Sequence, residues 1–451
     1  MTSLWFESAL LPQGWASRVR ISSAGGRIEQ IAVGSDPADG DERHAVGLPG
    51  LPNLHSHAFQ RALAGLTERA GPTGDSFWTW RELMYQFVDR LDPDELEAIA
   101  SLAYAEMLEG GLTHVGEFHY LHHDRSGVPF ADPGELAGRL VAAAKLTGIG
   151  LTLLPVLYAH GGFGGAAPSA RQQRFITDPS RFEAILESCR RAVKALSGGV
   201  AGIAAHSLRA VTPEELTWLV QAAGDNLVHI HIAEQIKEVE DCKAWSGQRP
   251  VEWLLEHSPV GERWCLVHAT HVTQTELEGI AATGAVIGLC PITEANLGDG
   301  IFPARAFLER AGRIGIGSDS NVLLDGAEEL RTLEYSQRLA HRARNVLAPK
   351  PGSSTGRSLF DAVLAGGAQA LGCASGFAPG ACLDAISLDR HHPSLAGRRE
   401  DELLDSWIFA GGRGLIDCVW RAGEKVVAGG CHRRREPIVQ RYRQVLKRVL
   451  G

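Results

Sequence analysis

The chain has 451 residues, 44% of them hydrophobic and 22% charged, with a formal charge of −9. That length accommodates one large core plus an accessory module, and the composition is ordinary for a globular enzyme. The acidic balance argues against non-specific nucleic-acid binding, which needs a basic face, but leaves room for an anionic substrate held by local arginines. The eight cysteines are scattered without a C-x-x-C pair, so they describe neither a disulfide framework nor a zinc ribbon. The stretch "MTSLWFESALLPQGW" lacks the basic and long apolar regions of a secretory leader, and no run approaches 18 apolar residues. A cytoplasmic, reducing location with no membrane contact is expected.

In chain order, "ASRVRISSAGGRIEQIAVG" alternates around a Gly-Gly turn and predicts a hairpin. Eight strand candidates follow: "AVGLPGLPNLHSH", "GLTHVGEFH", "GLTLLPVLYA", "VAGIAAHSL", "NLVHIHIAE", "WCLVHATHV", "AVIGLCP" and "RIGIGSDSN". Helical patterns such as "PDELEAIASLAYAEMLEGG" and "PSRFEAILESCRRAVKAL" separate most of them. Strands alternating with helices predict a parallel sheet with helices outside, and eight of them match a (β/α)8 TIM barrel. A doubly wound open sheet is the competitor, but no G-x-G-x-x-G turn opens any unit.

Past the barrel, "CLDAISLD", "DSWIFAG" and "IDCVWRAGEKVVAGG" return to a strand texture. The fold class predicted is therefore α/β, a (β/α)8 barrel over residues 48–378 with a small β-sandwich module built from residues 1–47 and 379–451. The last segment, "EPIVQRYRQVLKRVL", has helical spacing and a basic face, and is expected to be a solvated surface helix.

The chemistry starts at "HSH", His55 and His57. Residues i and i+2 of a strand share a face, so the pair offers two imidazoles to one point. Alone it is equally two polar residues at a strand-to-loop boundary. A barrel, however, gathers its active site at the C-terminal strand ends. Those ends also carry His231 and Glu234, His268, and Asp319. His55, His57, His231 and Asp319 make an N/O ligand set that suits one zinc ion per subunit, without excluding iron, nickel or manganese. Such an ion would bring the pKa of its water toward neutrality. The fourth strand ends in "AAHSLRAV", with no lysine to bridge a second metal, so a mononuclear site is expected.

This pattern resembles the metal-dependent amidohydrolase superfamily, and "HIAE" is similar to the H-x-x-E of its deaminase branch. There the glutamate shuttles a proton and is not a ligand. Longer stretches, "LPGLPNLHSHAFQRALAGLTE", "SFWTWRELMY", "GEFHYLHH", "HSLRAV" and "HIHIAEQ", are similar to the deiminases that hydrolyse N-formimino-L-glutamate in histidine degradation. The resemblance implies Glu234, His268 and Asp319 as catalytic groups, with Glu234 protonating the imine nitrogen. It implies a dicarboxylate substrate held by Gln60, Arg81, Tyr120, His206 and Arg209, and a homodimer. Independently of it, two substrate carboxylates call for arginine forks and hydroxyl donors, which Arg209 and Tyr120 offer at the same rim.

The other histidines read as structural. His229 lies deeper on its strand than His231 and is expected in the core. His114, His119, His122 and His123 lack convergent partners for a second metal. Two other functions stay open at this point: a guanine, cytosine or adenosine-type deaminase, for which "FWTW" offers stacking aromatics, and a non-catalytic barrel scaffold.

Overall fold

The computed structural model describes residues 2–71 and 74–450. The terminal strands are β1 (Thr2–Leu11), β2 (Gly14–Ala24), β3 (Arg27–Ala32) and β4 (Glu42–Pro49). The middle of the chain supplies β5 (Leu51–Ser56), β6 (Leu112–His119), β7 (Gly150–Leu157), β8 (Val200–Ala201), β9 (Ile203–Ser207), β10 (Val228–Ile232), β11 (Trp264–His268), β12 (Val286–Leu289) and β13 (Arg313–Ile316). Four more complete the set: β14 (Ala385–Leu388), β15 (Ile416–Arg421), β16 (Glu424–Ala428) and β17 (Cys431–His432).

Eight parallel strands follow one another as β5-β6-β7-β9-β10-β11-β12-β13, with β8 a short extension paired to β7. The ring closes where β13 returns to β5: Ser56 bridges Asp319, and the Ser318 and Asp319 amides both donate to the His55 carbonyl at 3.0 Å. This is the barrel expected from the alternating pattern. Every residue of β5, β6 and β7 is buried, because one face meets the barrel interior and the other the surrounding helices. Two of those helices start on reciprocal caps. Thr212 with Glu215, and Thr273 with Glu276, each exchange a side chain for the other's backbone N–H.

The stretch 45–57 is two strands rather than one. It breaks at Gly50, where a Cβ would lie 2.3 Å from the Thr113 side chain, so β4 joins the terminal sheet and β5 the barrel. "VAGIAAHSL" is likewise broken, between β8 and β9, at Gly202. The helix Thr355–Leu371 lies close on β13 because Gly366 carries no side chain; a Cβ there would meet the Ile314 carbonyl at 2.0 Å.

The terminal strands form one sheet ordered β17-β16-β15-β14-β4-β1-β2-β3. It curls until the β2–β3 turn reaches the segment before β14, with Leu383 N–H donating to the Gly26 carbonyl at 2.9 Å. The curl encloses its own core, including Phe6, Ile21, Phe377 and Trp420. The segment "DSWIFAG" is not a strand. Residues Asp401–Ser406 form a helix that widens over Trp407–Gly411, burying Trp407 and Ile408, and Trp407 meets Phe360 edge-on. The last helix, Arg435–Leu450, packs rather than standing free. Ile438 lies against Leu102 and Ala105, and Arg441 pairs with Glu97 at 2.6 Å. Among the described residues no helix is long and apolar enough to cross a membrane, and no cysteine is bridged.

Candidate active site

The ends of β5, β10 and β13 bring His55, His57, His231 and Asp319 together, with one ligand atom from each inside a 4.8 Å span. The Nε2 of His55 lies 3.2 Å from that of His57 and 3.0 Å from that of His231. Asp319 Oδ1 is 3.4 Å from His55 Nε2 and 3.2 Å from His57 Nε2. Three imidazole nitrogens converging with a carboxylate at such range form the donor set of a divalent cation.

The far nitrogens support this reading. His57 Nδ1–H donates to the Phe118 carbonyl at 2.9 Å, and His231 Nδ1–H to the His206 carbonyl at 3.0 Å. Those bonds fix the tautomer that leaves each Nε2 lone pair facing the shared point. Burial pushes His55 down to about 3 and His231 well below the usual histidine range, so both stay neutral and able to ligate. Burial works to raise the Asp319 carboxyl, but its contacts with the His55 and His57 imidazoles hold it well below the usual carboxylate range. The residues present therefore fit a metal ion.

Holding four ligands at strand ends costs backbone strain. Ala233, His268, Ala269, Asp319 and Asn321 all have positive φ, at +51°, +68°, +49°, +45° and +58°. Such conformations persist only where neighbours over-determine them. Here the neighbours are buried polar groups. Asn53 and Ser318 bond each other twice, Ser318 Oγ donates to Asn321 Oδ1 at 2.6 Å, and Asn321 Nδ2 donates to the His57 carbonyl at 2.9 Å. Glu117 accepts from Ser56 Oγ at 2.9 Å and Ala58 N–H at 2.7 Å; Glu238 accepts from the Ala233 amide at 3.1 Å. None of these supports was anticipated from the sequence. "PNLHSH" and "GSDSN" flank the ligands closely enough to have pointed to Asn53, Ser318 and Asn321.

Glu234 and His268 border the cage. Burial raises Glu234 to about 7, opposed by His268 and assisted by Asp319. Burial alone would lower His268, but Glu234, Glu294 and Asp319 outweigh it and push it up to about 10. Its Nε2 lies 3.9 Å from Asp319 Oδ2.

Over the cage opens a cavity whose lining includes Gln60, Arg81, Tyr120, His206 and Arg209, so all five expected substrate residues share one space with the cage. Gln60 Nε2 donates to Tyr120 Oη at 2.9 Å. Arg81 belongs to α1 (Phe77–Val88), which crosses above the barrel mouth and carries Trp80, Met84 and Tyr85 into the same lining. The Arg81 Cζ sits 4.6 Å from the Trp78 ring centre and Arg209 Cζ 5.6 Å from it. Among the described residues neither guanidinium has a carboxylate partner, and the Nε of each is buried without an acceptor. Two such cations form a receptor for anions. Of the aromatic walls, Phe77 lies in the "FWTW" stretch noted for its stacking aromatics, whereas Tyr85, Tyr158 and Phe175 were not singled out; an apolar or aromatic residue there reads as core until the cavity is seen.

Four of the histidines expected to be structural bond to neighbouring core groups, while the Nε2 of His119 is buried without a partner. His229 Nε2 bonds the Ala370 carbonyl at 2.8 Å, His114 the Thr152 hydroxyl at 2.9 Å, and His122 and His123 bond the Val156 and Ile176 carbonyls at 2.8 Å.

Barrel, cage and flanking acids together define a metal-dependent hydrolase. The family model described as "Amidohydrolase family" matches residues 46–426, and the chain belongs to that family. A second, "Formimidoylglutamate deiminase HutF, N-terminal domain", matches residues 1–45. The chain is 53% identical over 454 residues, covering 100% of both, to formimidoylglutamate deiminase of Pseudomonas aeruginosa. It is 28% identical over 339 residues, 71% of each chain, to 8-oxoguanine deaminase of the same species. A crystal structure of an amidohydrolase from Brucella melitensis superposes with a TM-score of 0.97 at 53% identity, covering 100% of both chains.

Proposed function

We propose that the chain hydrolyses N-formimino-L-glutamate to N-formyl-L-glutamate and ammonia, a step of histidine degradation. The observation that carries this reading is the full-length 53% identity to a formimidoylglutamate deiminase. The cavity supports it, because two unpaired guanidiniums suit a dicarboxylate better than a neutral purine.

In this reading His55, His57, His231 and Asp319 would hold one zinc ion per chain, which would supply the Lewis acidity that makes water a nucleophile near neutral pH. Arg81 and Arg209 hold the substrate carboxylates, with Gln60, Tyr120 and His206 completing the polar wall. That grip places the formimino carbon over the cage and its imine nitrogen toward Glu234. The Glu234 carboxyl, raised to about 7, carries a proton to that nitrogen as water adds to the carbon. Asp319 accepts the proton that water gives up, and His268 stabilises negative charge growing on the attacking oxygen. The hydroxyl proton of the adduct then passes by way of Glu234 to the departing nitrogen, so that the C–N bond breaks as the carbonyl forms and ammonia leaves behind a formyl group. A cytoplasmic homodimer is part of the same reading, supported by likeness to the family.

The test is product identification by NMR after incubating zinc-replete protein with N-formimino-L-glutamate, guanine, cytosine and adenosine separately. N-Formyl-L-glutamate and ammonia are expected from the first alone. Ammonia from a base or nucleoside instead would overturn the substrate assignment.

A further inference from the structure

The far side of His268 carries an arrangement that the reaction scheme leaves unused. His268 Nδ1 lies 3.2 Å from Glu294 Oε1, on the short helix Pro291–Leu297 that follows β12. The same oxygen accepts the Cys290 N–H at 2.9 Å, and the Glu294 N–H donates to the Cys290 carbonyl at 2.8 Å. The carboxylate is thus pinned from both its side chain and its backbone. Both partners are buried, Glu294 at 6% exposure and His268 at 1%.

An imidazole ring turned by 180° about its Cβ–Cγ bond fills almost the same volume while exchanging nitrogens for carbons. Packing alone therefore discriminates poorly between the two orientations. The His268 ring stacks on His231 at an interplanar angle of 15°, which sets its plane but not its flip. Of the contacts His268 makes, only those at its nitrogens can choose. Nε2 stands 3.9 Å from Asp319, beyond hydrogen-bond range, so the bond to Glu294 is what directs Nε2 at the cage.

The geometry points to Glu294 as a positioning residue that holds His268 in the one ring orientation presenting Nε2 to the attacking oxygen. The catalytic consequence rests on the reaction proposed above; the orientation itself does not. Partners that orient metal-ligating histidines are worth about 10- to 100-fold in activity, and the same scale is expected for Glu294 behind His268.

Two variants and two readouts test it. Glu294→Leu removes the acceptor, whereas Glu294→Gln keeps an oxygen for Nδ1–H. With N-formimino-L-glutamate, Glu294→Leu should lose about 10- to 100-fold in kcat at unchanged KM and zinc content, and Glu294→Gln should recover most of that loss. Equal losses in both variants, a loss confined to KM, or wild-type kcat in Glu294→Leu would overturn the assignment. A crystal structure of Glu294→Leu decides independently of any substrate. The His268 ring should be turned or split over two orientations with His55, His57, His231 and Asp319 unmoved; a ring held as in the parent would also overturn it. Should the parent enzyme not act on the formimino compound, the functional reading fails, and the crystal structure alone then judges Glu294.

Discussion

Asn53 and Ser318, far apart in the chain, exchange two hydrogen bonds: the Ser318 amide donates to Asn53 Oδ1 at 2.9 Å, and Asn53 Nδ2 donates to Ser318 Oγ at 2.7 Å. They latch the last barrel strand to the first directly beneath His55 and Asp319. Replacing Asn53 by Ala removes both bonds, at about 1–3 kcal/mol for the pair, while the Ser318 amide keeps the His55 carbonyl and its hydroxyl keeps Asn321. Asn53→Ala should therefore melt at a lower temperature and hold less metal per chain, both measurable on the purified protein. Unchanged metal content with a lowered Tm would confine Asn53 to stability.

Glu234 is placed to serve chemistry rather than binding of the ion, since its carboxylate is not among the four converging ligand atoms. Glu234→Gln should keep full metal content and lose about 100-fold or more in kcat, in the range of general acid–base groups. Turnover near the parent rate would remove Glu234 from the scheme.

The two guanidiniums share one aromatic neighbour, Trp78, which offsets their mutual repulsion with its negative ring face. Arg209→Met should lower kcat/KM for N-formimino-L-glutamate by about 10- to 100-fold, the worth of a charge-assisted bond, mostly through KM. Trp78→Ala should raise KM by a smaller factor with kcat nearly intact, and Trp78→Phe should restore part of it. A kcat defect in either tryptophan variant would contradict a role limited to holding arginines.

Away from the site, burial holds His114 and His122 at about 3, against an unfolded value of 6.5. The folded chain leaves both neutral while the unfolded chain takes up protons below 6.5. Their contribution is therefore complete above pH 6.5 and is lost as pH falls toward 3, at up to about 1.4 kcal/mol per pH unit for each. His114→Gln should show a shallower fall of urea midpoint between pH 6.5 and 5 than the parent. Parallel curves would refute this.

What could be seen in the sequence follows a physical division. Barrel strands announce themselves because both faces are buried and the runs are continuously apolar, and the metal ligands because polar residues interrupt such runs at the same relative place. The supports do not. Glu238 and Glu294 look like ordinary helix glutamates, and only the folded chain shows them turned inward to an amide and an imidazole. "DSWIFAG" misleads because Trp407 and Ile408 bury their bulk against helices rather than across a pleated sheet. The break at Gly50 escapes notice because its cause is Thr113, on the neighbouring strand.

The central claim is that His55, His57, His231 and Asp319 hold an ion on which deimination depends. The direct measurement is ammonia release from N-formimino-L-glutamate by one preparation before chelation, after chelation to a verified metal-free state, and after zinc is restored. Chelation should abolish nearly all turnover, and about one equivalent of zinc should restore it. Undiminished turnover by protein shown to contain no metal would contradict it.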